Sequence, residues 1–301
     1  MTNCTLIVGS MAFDDLELPS GSFRDVVGGA ATYASLAASL YANAKIVAVV
    51  GNDFPEMWMD RLSARAIDIS GIERAQGKTF RWHGEYAADL SSRTTLATEL
   101  NVFADFNPKL PSSYRESSHV LLGNIHPELQ LRVLEQIIEP KFVAADTMNY
   151  WIQGERSQLA KVISRIHTLL INDEEARLLG EDHNIARAAR RIRSMGPKAL
   201  VVKRGDAGAL LFDDEGTFFC PALPLDSELD PTGAGDTFAG ALLGQLTMTG
   251  AVEPRQLRMA LRGAAAAASY CVEGVGPDRL FTVTREEVDR RRDRIAELSQ
   301  C

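Results

Sequence analysis

The stretch LDPTGAGDTFAG, at residues 229–240, carries the strongest structural signal in the chain. A turn-forming Asp-Pro pair leads into small residues, and a helical run from Thr237 to Leu246 follows. Gly233 and Gly235 allow backbone conformations that other residues avoid and permit the close approach of a ligand. Successive N–H groups at such a turn, together with the positive end of the helix dipole, predict a binding site for an anion.

A carboxylate, Asp236, lies at the edge of this predicted anion site. Because an acid repels bound phosphate, its position favours a chemical role, the removal of a proton from a hydroxyl that attacks a phosphoryl group. The structural alternative is tight packing at Gly-Ala-Gly, with Asp236 as a helix-capping acid. Phe238 replaces the third glycine of a dinucleotide fingerprint, and the chain contains no G-x-x-x-x-G-K-[ST] sequence, so a P-loop is excluded.

The composition is that of an acidic enzyme with enough apolar residues for a substantial core. Hydrophobic residues make up 46% of the 301 positions, and the formal net charge is −8. This charge argues against nucleic-acid binding, and no apolar run reaches membrane-spanning length. The four cysteines show no metal-binding spacing, and no basic leader precedes the first predicted strand. We therefore expect a cytoplasmic protein that binds neither nucleic acid nor membrane.

Short apolar, β-branched runs alternate with helical patterns along the chain. Strands are predicted at 4–9, 45–50, 119–123, 142–146, 168–172, 199–203 and 209–212. Helices are predicted at 29–41, 54–66, 127–139, 184–195 and 254–272, and in a last segment with a capping box at 284–287. This order predicts an α/β fold, a three-layer α/β/α sandwich with a mostly parallel central sheet, in which ligands bind beyond the carboxyl ends of the strands.

Two segments interrupt this alternation, at about 11–26 and 77–105. Both are predicted to form strands without a crossover helix, and together they can form a small antiparallel sheet over the strand ends. Such a sheet would suit a lid that excludes water from phosphoryl transfer. The alternative is a β-extension that serves a homodimer contact, and the two uses can coexist.

The segment from Asp230 to Gly240 resembles the C-terminal signature of the ribokinase-like (PfkB) family of carbohydrate and nucleoside kinases. The resemblance extends over nearly the whole chain and implies a single kinase domain over residues 1–301, with the two lid segments inserted in it. It implies Asp236 as the catalytic base, and an anion hole formed by the backbone N–H groups of Gly233, Ala234 and Gly235. The implied cofactors are ATP and Mg²⁺, and a requirement for a monovalent cation stays open.

The resemblance also places the phosphoryl acceptor. Asp14 follows the first strand and corresponds to an aspartate that binds substrate hydroxyls. The Gly28-Gly29 pair is similar to the family's N-terminal signature, although Thr32 stands where an asparagine is usual. The candidate acceptor-binding residues are Asp14, Gly28, Gly29, Thr32, Phe13, Trp82 and Asn149.

At the nucleotide end, Asn172 and Glu175 match the family's N-x-x-E element, which organises Mg²⁺ and phosphates through water. Lys203 occupies a position at which the family often has threonine, two residues before Gly205. The candidate nucleotide-binding residues are Asn172, Glu175, Lys203, Gly205, Thr232 and Gly276, with Glu175 also a water-mediated metal contact.

These observations predict an ATP-dependent kinase that phosphorylates the hydroxymethyl group of a small sugar or polyol. A nucleoside is the close alternative, because Phe13, Trp82 and Phe103 could enclose a base. A non-catalytic nucleotide or sugar sensor on the same fold is the third hypothesis. Asp236 distinguishes the third from the other two, since a sensor needs no base.

Overall fold

The computed structural model describes residues 3–298, and its strands form two β-sheets. In chain order the strands are β1 (Thr5–Val8), β2 (Ala12–Leu18), β3 (Gly21–Gly28), β4 (Ala44–Val50), β5 (Ile67–Arg74), β6 (Phe80–Tyr86), β7 (Arg93–Glu99), β8 (His119–Leu122), β9 (Phe142–Asp146), β10 (Thr168–Asn172), β11 (Ala199–Lys203), β12 (Ala209–Asp213) and β13 (Gly216–Cys220). The large sheet has the order β13-β12-β11-β10-β9-β8-β1-β4-β5, and the small sheet has the order β3-β2-β6-β7.

The large sheet confirms the predicted, mostly parallel architecture. All neighbours from β11 to β5 pair in parallel, whereas β12 and β13 add an antiparallel edge. All seven strands predicted for this sheet are present. The edge strands β5 and β13 were not predicted from the sequence, because both are only partly buried and lack the continuous apolar runs of the central strands.

Helices cover both faces of the large sheet and complete the three layers. They are α1 (Ala30–Ser39), α2 (Glu56–Ser63), α3 (Pro127–Leu134), α4 (Asn149–Gly154), α5 (Arg156–Ile163), α6 (Asp173–Gly180), α7 (Ile185–Arg193), α8 (Ala234–Thr249), α9 (Pro254–Cys271), α10 (Asp278–Thr282) and α11 (Arg285–Glu297). One apolar cluster lies between the sheet and α1, α2, α8, α9 and α11, and a second lies between the opposite face and α3 to α7. Among the described residues, no helix has the length and apolar character needed to span a bilayer.

Helices α1 and α8 are in close contact, and this contact positions the segment at residues 229–240. A Cβ atom at Gly240 would overlap the carbonyl oxygen of Ala34, and one at Gly244 would lie 2.7 Å from the carbonyl oxygen of Ala38. Glycine at these two positions lets the two backbones touch. The first turn of α8 is therefore held directly beside the first turn of α1.

The small sheet contains both segments that the sequence assigned to a lid, but its central pairing is not antiparallel as expected. Strands β2 and β6 pair in parallel, and each then pairs with its hairpin partner in the antiparallel sense. The two hairpins come from separate parts of the chain, so no tight turn imposes an antiparallel pairing between them. The expected antiparallel lid is thus corrected to a mixed sheet of two hairpins.

The α1–α8 contact leads to a stability prediction. Gly240→Ala should lower the free energy of unfolding by about 1–3 kcal/mol, because the added methyl group forces the two helices apart. Gly154→Ala is the matched control, since a Cβ there meets nothing within 4 Å. Urea unfolding followed by circular dichroism measures both variants. Equal stability of Gly240→Ala and wild type would contradict the proposed tight helix contact.

Candidate active site

The predicted anion loop is held in shape by one buried carboxylate, Asp230. Its two oxygens accept hydrogen bonds from the backbone N–H groups of Thr232 and Gly276, each at 2.9 Å. Gly233 then adopts a left-handed conformation, with φ of 76°, and α8 begins without a side-chain cap. The N–H of Ala234 donates to the carbonyl oxygen of Pro231 at 3.2 Å, whereas the N–H of Gly235 has no hydrogen-bond partner within residues 3–298 and is available to an anion.

Asp236 lies in the first turn of α8, beside this loop. Burial raises the pKa of Asp236 to about 6, and the negative charge of Asp146 contributes to the rise. The positive charges of Lys203 and Arg93 oppose it. A carboxylate with a pKa near neutrality is well suited to accept a proton at physiological pH.

Lys203 lies directly beneath the anion loop. Its Nζ atom is 2.7 Å from Oδ2 of Asp146 and 3.2 Å from the point where a Cβ of Gly235 would lie. Burial lowers the pKa of Lys203, but the carboxylates of Asp146 and Glu175 outweigh this effect and the pKa is raised. The structure thus places a fixed ammonium group at the base of the loop.

Asp146, the partner of Lys203, is a site residue to which the sequence assigned no definite role. It ends β9, and its Oδ1 atom accepts a hydrogen bond of 2.7 Å from the N–H of Thr147. A buried strand that ends in aspartate was the available sequence signal. The pairing with Lys203 joins residues 57 positions apart and could not be predicted from sequence spacing.

Asn172 and Glu175 form a capping box at the start of α6. The N–H of Glu175 donates to Oδ1 of Asn172 at 2.7 Å, and the N–H of Asn172 donates to Oε2 of Glu175 at 2.8 Å. Burial raises the pKa of Glu175 to about 7, with a further contribution from Asp146 that Lys203 partly offsets. The N-x-x-E element therefore has a clear local role in the fold, and its nucleotide role stays a prediction.

Asp14, the candidate acceptor residue, lies on β2 and is only 4% exposed. A Cβ at Gly28 would overlap its carboxylate, which explains the glycine at that position. Burial raises the pKa of Asp14 to about 8, and the nearby charges of Asp230 and Asp236 add to the rise. The structure thus brings Asp14 into the electrostatic neighbourhood of the anion loop.

Two other residues of the N-terminal signature have structural partners. Gly29 has φ of 90°, and a Cβ there would lie 2.5 Å from the carbonyl oxygen of Ser10. Thr32 is fully buried, and its hydroxyl donates to the carbonyl oxygen of Gly28 at 2.7 Å. The Thr32 hydroxyl therefore stabilises the start of α1, and its contact with an acceptor stays a prediction.

The aromatic sandwich suggested by the sequence does not form. Phe13 follows Ala12 and precedes Asp14 on β2, so its side chain points to the face opposite that of Asp14 and packs against Phe54 with 5.5 Å between ring centroids. Phe103 stacks between Phe80 and Phe106. These packing partners remove Phe13 and Phe103 from a shared acceptor pocket.

Trp82 lies on β6 of the small sheet, and its contact with an acceptor stays a prediction. It lies directly opposite Asp14 in the register of β2 and β6, so both side chains are on the same face of the small sheet. We call this the cleft face. Tyr86, two pairs further along this face, contacts the anion loop, because its hydroxyl is 2.9 Å from Oγ1 of Thr232.

The remaining candidates surround the same region. Gly276 has φ of 65°, and a Cβ there would overlap Val26 of the small sheet. Gly205 follows Lys203 in a short turn with φ of 58°. Asn149 begins α4, and its buried Oδ1 atom has no hydrogen-bond partner within residues 3–298. Tyr86 was missed by sequence reasoning, since tyrosine in a predicted strand carries no specific signal.

An anion loop beside a carboxylate of near-neutral pKa, with a small sheet in contact with that loop, is a combination suited to phosphoryl transfer to a hydroxyl. The fold and site thus define a phosphotransferase. The chain matches the pfkB family carbohydrate kinase profile over residues 1–282, so it belongs to that family.

Individual relatives agree with this assignment. A cytidine kinase from Thermococcus kodakarensis is 31% identical over 249 residues, which cover 79% of this chain and 86% of that protein. The nucleoside kinase from Burkholderia thailandensis, in complex with inosine, has a TM-score of 0.80 at 21% identity and covers 97% of this chain and 98% of its own. A ribokinase from Cryptococcus neoformans in complex with ADP has a TM-score of 0.78 at 20% identity, covering 97% and 99%.

The family confirms the prediction of an ATP-dependent kinase with a hydroxyl acceptor on a sugar or nucleoside. The two solved structures confirm the ribokinase-like fold. The roles of individual site residues are not decided by these similarities and rest on the geometry described above.

The raised pKa of Asp14 predicts a stability cost. The unperturbed pKa is 3.8 and the folded value is about 8, so the folded state binds this proton more tightly and loses stability as pH rises between these values. Asp14→Asn should therefore be more stable than wild type at pH 8.5. We expect its free energy of unfolding to be higher by at least about 1 kcal/mol, because a shift of a single pKa unit already corresponds to about 1.4 kcal/mol. The difference should shrink steadily as pH falls towards 4.

Urea unfolding of both proteins at pH 5, 7 and 8.5 measures this effect. Asp15→Asn on the same strand is the control that separates the burial of Asp14 from a general effect of removing one negative charge. A pH-independent difference between Asp14→Asn and wild type would contradict the assignment.

Proposed function

We propose that this protein transfers the γ-phosphoryl group of ATP to the hydroxymethyl group of a nucleoside. The single observation that carries the phosphoryl-transfer part is the position of Asp236. Its carboxylate has a pKa of about 6 and lies in the first turn of a helix that has no side-chain cap. The base and the phosphate-binding groups thus belong to one turn of backbone.

The proposed reaction assigns one step to each group. Asp236 accepts the proton of the acceptor hydroxyl while its oxygen attacks the γ-phosphorus, and the bond from that phosphorus to the bridging oxygen of ADP breaks. The N–H groups of Gly233, Ala234 and Gly235 would stabilise the negative charge on the transferred group, that of Ala234 in place of its 3.2 Å hydrogen bond to the carbonyl oxygen of Pro231. Lys203 adds a positive charge at the base of the same loop, 3.2 Å from the Cβ position of Gly235.

The residues present fit a nucleotide-bound Mg²⁺. Among residues 3–298 no three acidic, histidine or cysteine side chains converge as a metal cage. Magnesium in kinase sites needs no such cage, since it binds phosphates and waters with only one or two carboxylates. Glu175 offers the oxygen that the capping box leaves unused, and Lys203 holds Asp146 beside it. The metal, when bound, would neutralise phosphate charge and orient the nucleotide.

The preference for a nucleoside rests on the cleft face and on the relatives. Trp82 presents an aromatic ring beside Asp14, so a base can stack on the ring while ribose hydroxyls reach the carboxylate. The cytidine kinase relative covers most of the chain, which supports the same acceptor class. A free sugar remains the second candidate, because Phe13 and Phe103 pack elsewhere and Trp82 alone does not enclose a base.

The proposal extends to the whole chain as one kinase unit in which the small sheet is the lid. Its edge strand β7 is exposed along its length, and Leu96 and Leu100 are each 48% exposed. An exposed edge strand with two exposed leucines supports a homodimer through the lid. Cys4, Cys220 and Cys271 are all buried, which is in line with a cytoplasmic enzyme.

The acceptor is tested with a panel of nucleosides, pentoses, hexoses and polyols, with ATP consumption as the readout, in the presence and absence of potassium. We expect a nucleoside to give the highest kcat/KM. A sugar with a higher kcat/KM than every nucleoside would contradict the proposed acceptor class, and no consumption with any acceptor would contradict the kinase function.

Replacement of the base gives a second test. Asp236→Asn should reduce kcat by about 10²–10⁴-fold, the usual contribution of a positioned general base, because asparagine keeps the size but cannot accept the proton. Affinity for MgATP, measured by isothermal titration calorimetry, should be retained. Asp60→Asn, the same change at an exposed position on α2, is the control. Near-normal turnover of Asp236→Asn would refute the assigned role.

Trp82 provides the test of acceptor recognition. Trp82→Ala should lower kcat/KM for a nucleoside by about 5- to 150-fold, which corresponds to the 1–3 kcal/mol typical of base–aromatic stacking. The KM for ATP should change little. Phe219→Ala is the control, since Phe219 is 48% exposed on β13, away from the cleft face. Equal losses for a nucleoside and for a free sugar would indicate a structural role for Trp82.

A further inference from the structure

The cleft has an excess of negative charge before any nucleotide binds. Five carboxylates surround it, those of Asp14, Asp146, Glu175, Asp230 and Asp236, and burial raises the pKa of four of them. The ammonium group of Lys203 forms an ion pair with Asp146 at 2.7 Å, and the Lys203 side chain is only 18% exposed. Transfer of a phosphoryl group between anionic partners in this environment calls for a further cation that can reach the reacting group.

Arg93 is placed to be that cation. It begins β7 and lies directly opposite Tyr86 in the register of β6 and β7. Residues opposite each other in a β-ladder project to the same face, so Arg93 is on the cleft face with Trp82 and Tyr86. The 2.9 Å contact between Tyr86 and Thr232 shows that this end of the lid touches the anion loop.

Arg93 also differs from the other arginines of the lid. Its backbone pairs with Tyr86, but within residues 3–298 its side chain takes part in no hydrogen bond or ion pair. Arg81, by contrast, is 2.8 Å from Asp15, and Arg24 is bound to Glu17. The guanidinium group of Arg93 therefore keeps all of its donors for a ligand.

The positive charge of Arg93 affects carboxylates on the acceptor side and on the nucleotide side of the cleft. It lowers the pKa of Asp236, the proposed base, and the pKa of Glu175, on the nucleotide side. These two carboxylates are held by different helices, α8 and α6. A cation that influences both carboxylates is within electrostatic reach of the acceptor side and of the nucleotide side of the cleft.

We propose that Arg93 is a further catalytic residue, which binds the non-bridging oxygens of the γ-phosphoryl group during its transfer. This inference rests on the proposed kinase function. In the step, the acceptor oxygen forms a bond to phosphorus, the bond to the ADP oxygen breaks with its electron pair leaving on ADP, and the hydroxyl proton passes to Asp236. Arg93 forms and breaks no covalent bond, and its planar fork matches two phosphoryl oxygens as negative charge shifts among them.

The test compares wild type with Arg93→Gln, Arg93→Lys and the control Arg24→Gln. Arg24 lies on the same small sheet and loses the same charge, but it is paired with Glu17 and 51% exposed. We expect Arg93→Gln to lower kcat at saturating ATP and nucleoside by at least about 100-fold, given the contribution of arginine to phosphoryl transfer in other enzymes. Arg93→Lys should recover part of this loss, because it keeps the charge without the bidentate fork. Arg24→Gln should retain wild-type kcat.

A pH profile separates a catalytic role from a structural one. The groups that set the charge around Asp236 are Asp146, Lys203 and Arg93. Removal of Arg93 raises the pKa of Asp236, so the acidic limb of the kcat/KM profile should move to higher pH in Arg93→Gln and stay in place in Arg24→Gln.

Three results would overturn the inference while leaving the kinase function intact. They are an Arg93→Gln kcat within about threefold of wild type, an equal loss in Arg24→Gln, and a rise in the KM for ATP without a fall in kcat. If Arg93→Gln is unfolded by circular dichroism, the folded Arg93→Lys variant decides, and wild-type turnover in it contradicts a bidentate contact. A wild-type protein that phosphorylates no acceptor would contradict the proposed function itself and, with it, this role of Arg93.

Discussion

The close contact between α1 and α8 is the constraint on which the site depends. Two glycines of α8 let its backbone touch that of α1 at Ala34 and Ala38. Because the contact fixes the starts of both helices, it places the Gly28-Gly29 turn beside the anion loop. The ring of Tyr33, in the first turn of α1, packs where a Cβ of Gly233 would lie. The proposed acceptor segment and the proposed phosphate segment, which contain Tyr33 and Gly233, are thus 200 residues apart in sequence, yet they meet through one helix pair.

The second constraint is electrostatic. The protein buries several carboxylates around one cleft and accepts raised pKa values at Asp14, Asp230, Asp236 and Glu175. Such an arrangement destabilises the folded state when these groups are charged, and it persists where chemistry requires it. Within residues 3–298, the neighbouring carboxylate Asp146 has a cationic partner at 2.7 Å, Lys203, and these four carboxylates form no ion pair. A cation that arrives with the nucleotide, or one supplied by the small sheet, would lower the pKa values of these carboxylates and stabilise their charged forms.

The lid connects the two ends of the cleft. Its cleft face carries Trp82 beside Asp14 at one end and Tyr86 against Thr232 at the other. Asp230 extends the connection, since it holds both Thr232 and Gly276, and Gly276 packs against Val26 of β3. In the proposed function, an acceptor bound beneath the small sheet would be linked by these direct contacts to the loop that would hold the phosphate. The small sheet has an apolar cluster of its own, which Val275 from the segment after α9 joins.

The sequence by itself determined the local features of this protein. Its continuous apolar runs defined seven strands of the large sheet, and its glycine-rich turn before a helix defined the anion loop with Asp236. The element at 172–175 formed a capping box because the N–H and side-chain groups that it joins are only three residues apart. In each case the interacting atoms are neighbours along the chain, so spacing and residue type were sufficient.

Only the tertiary structure decided the features that join distant segments. These include the Lys203–Asp146 pair, the parallel pairing of β2 with β6, the packing of Phe13 away from the cleft, and the placement of Tyr86 and Arg93 on the cleft face. A one-residue change of register would reverse which side chains face the cleft, and no local pattern in the exposed strand β7 specifies that register. The register is set by packing between the lid and the body, because contacts such as Tyr86 with Thr232 span 146 residues of chain.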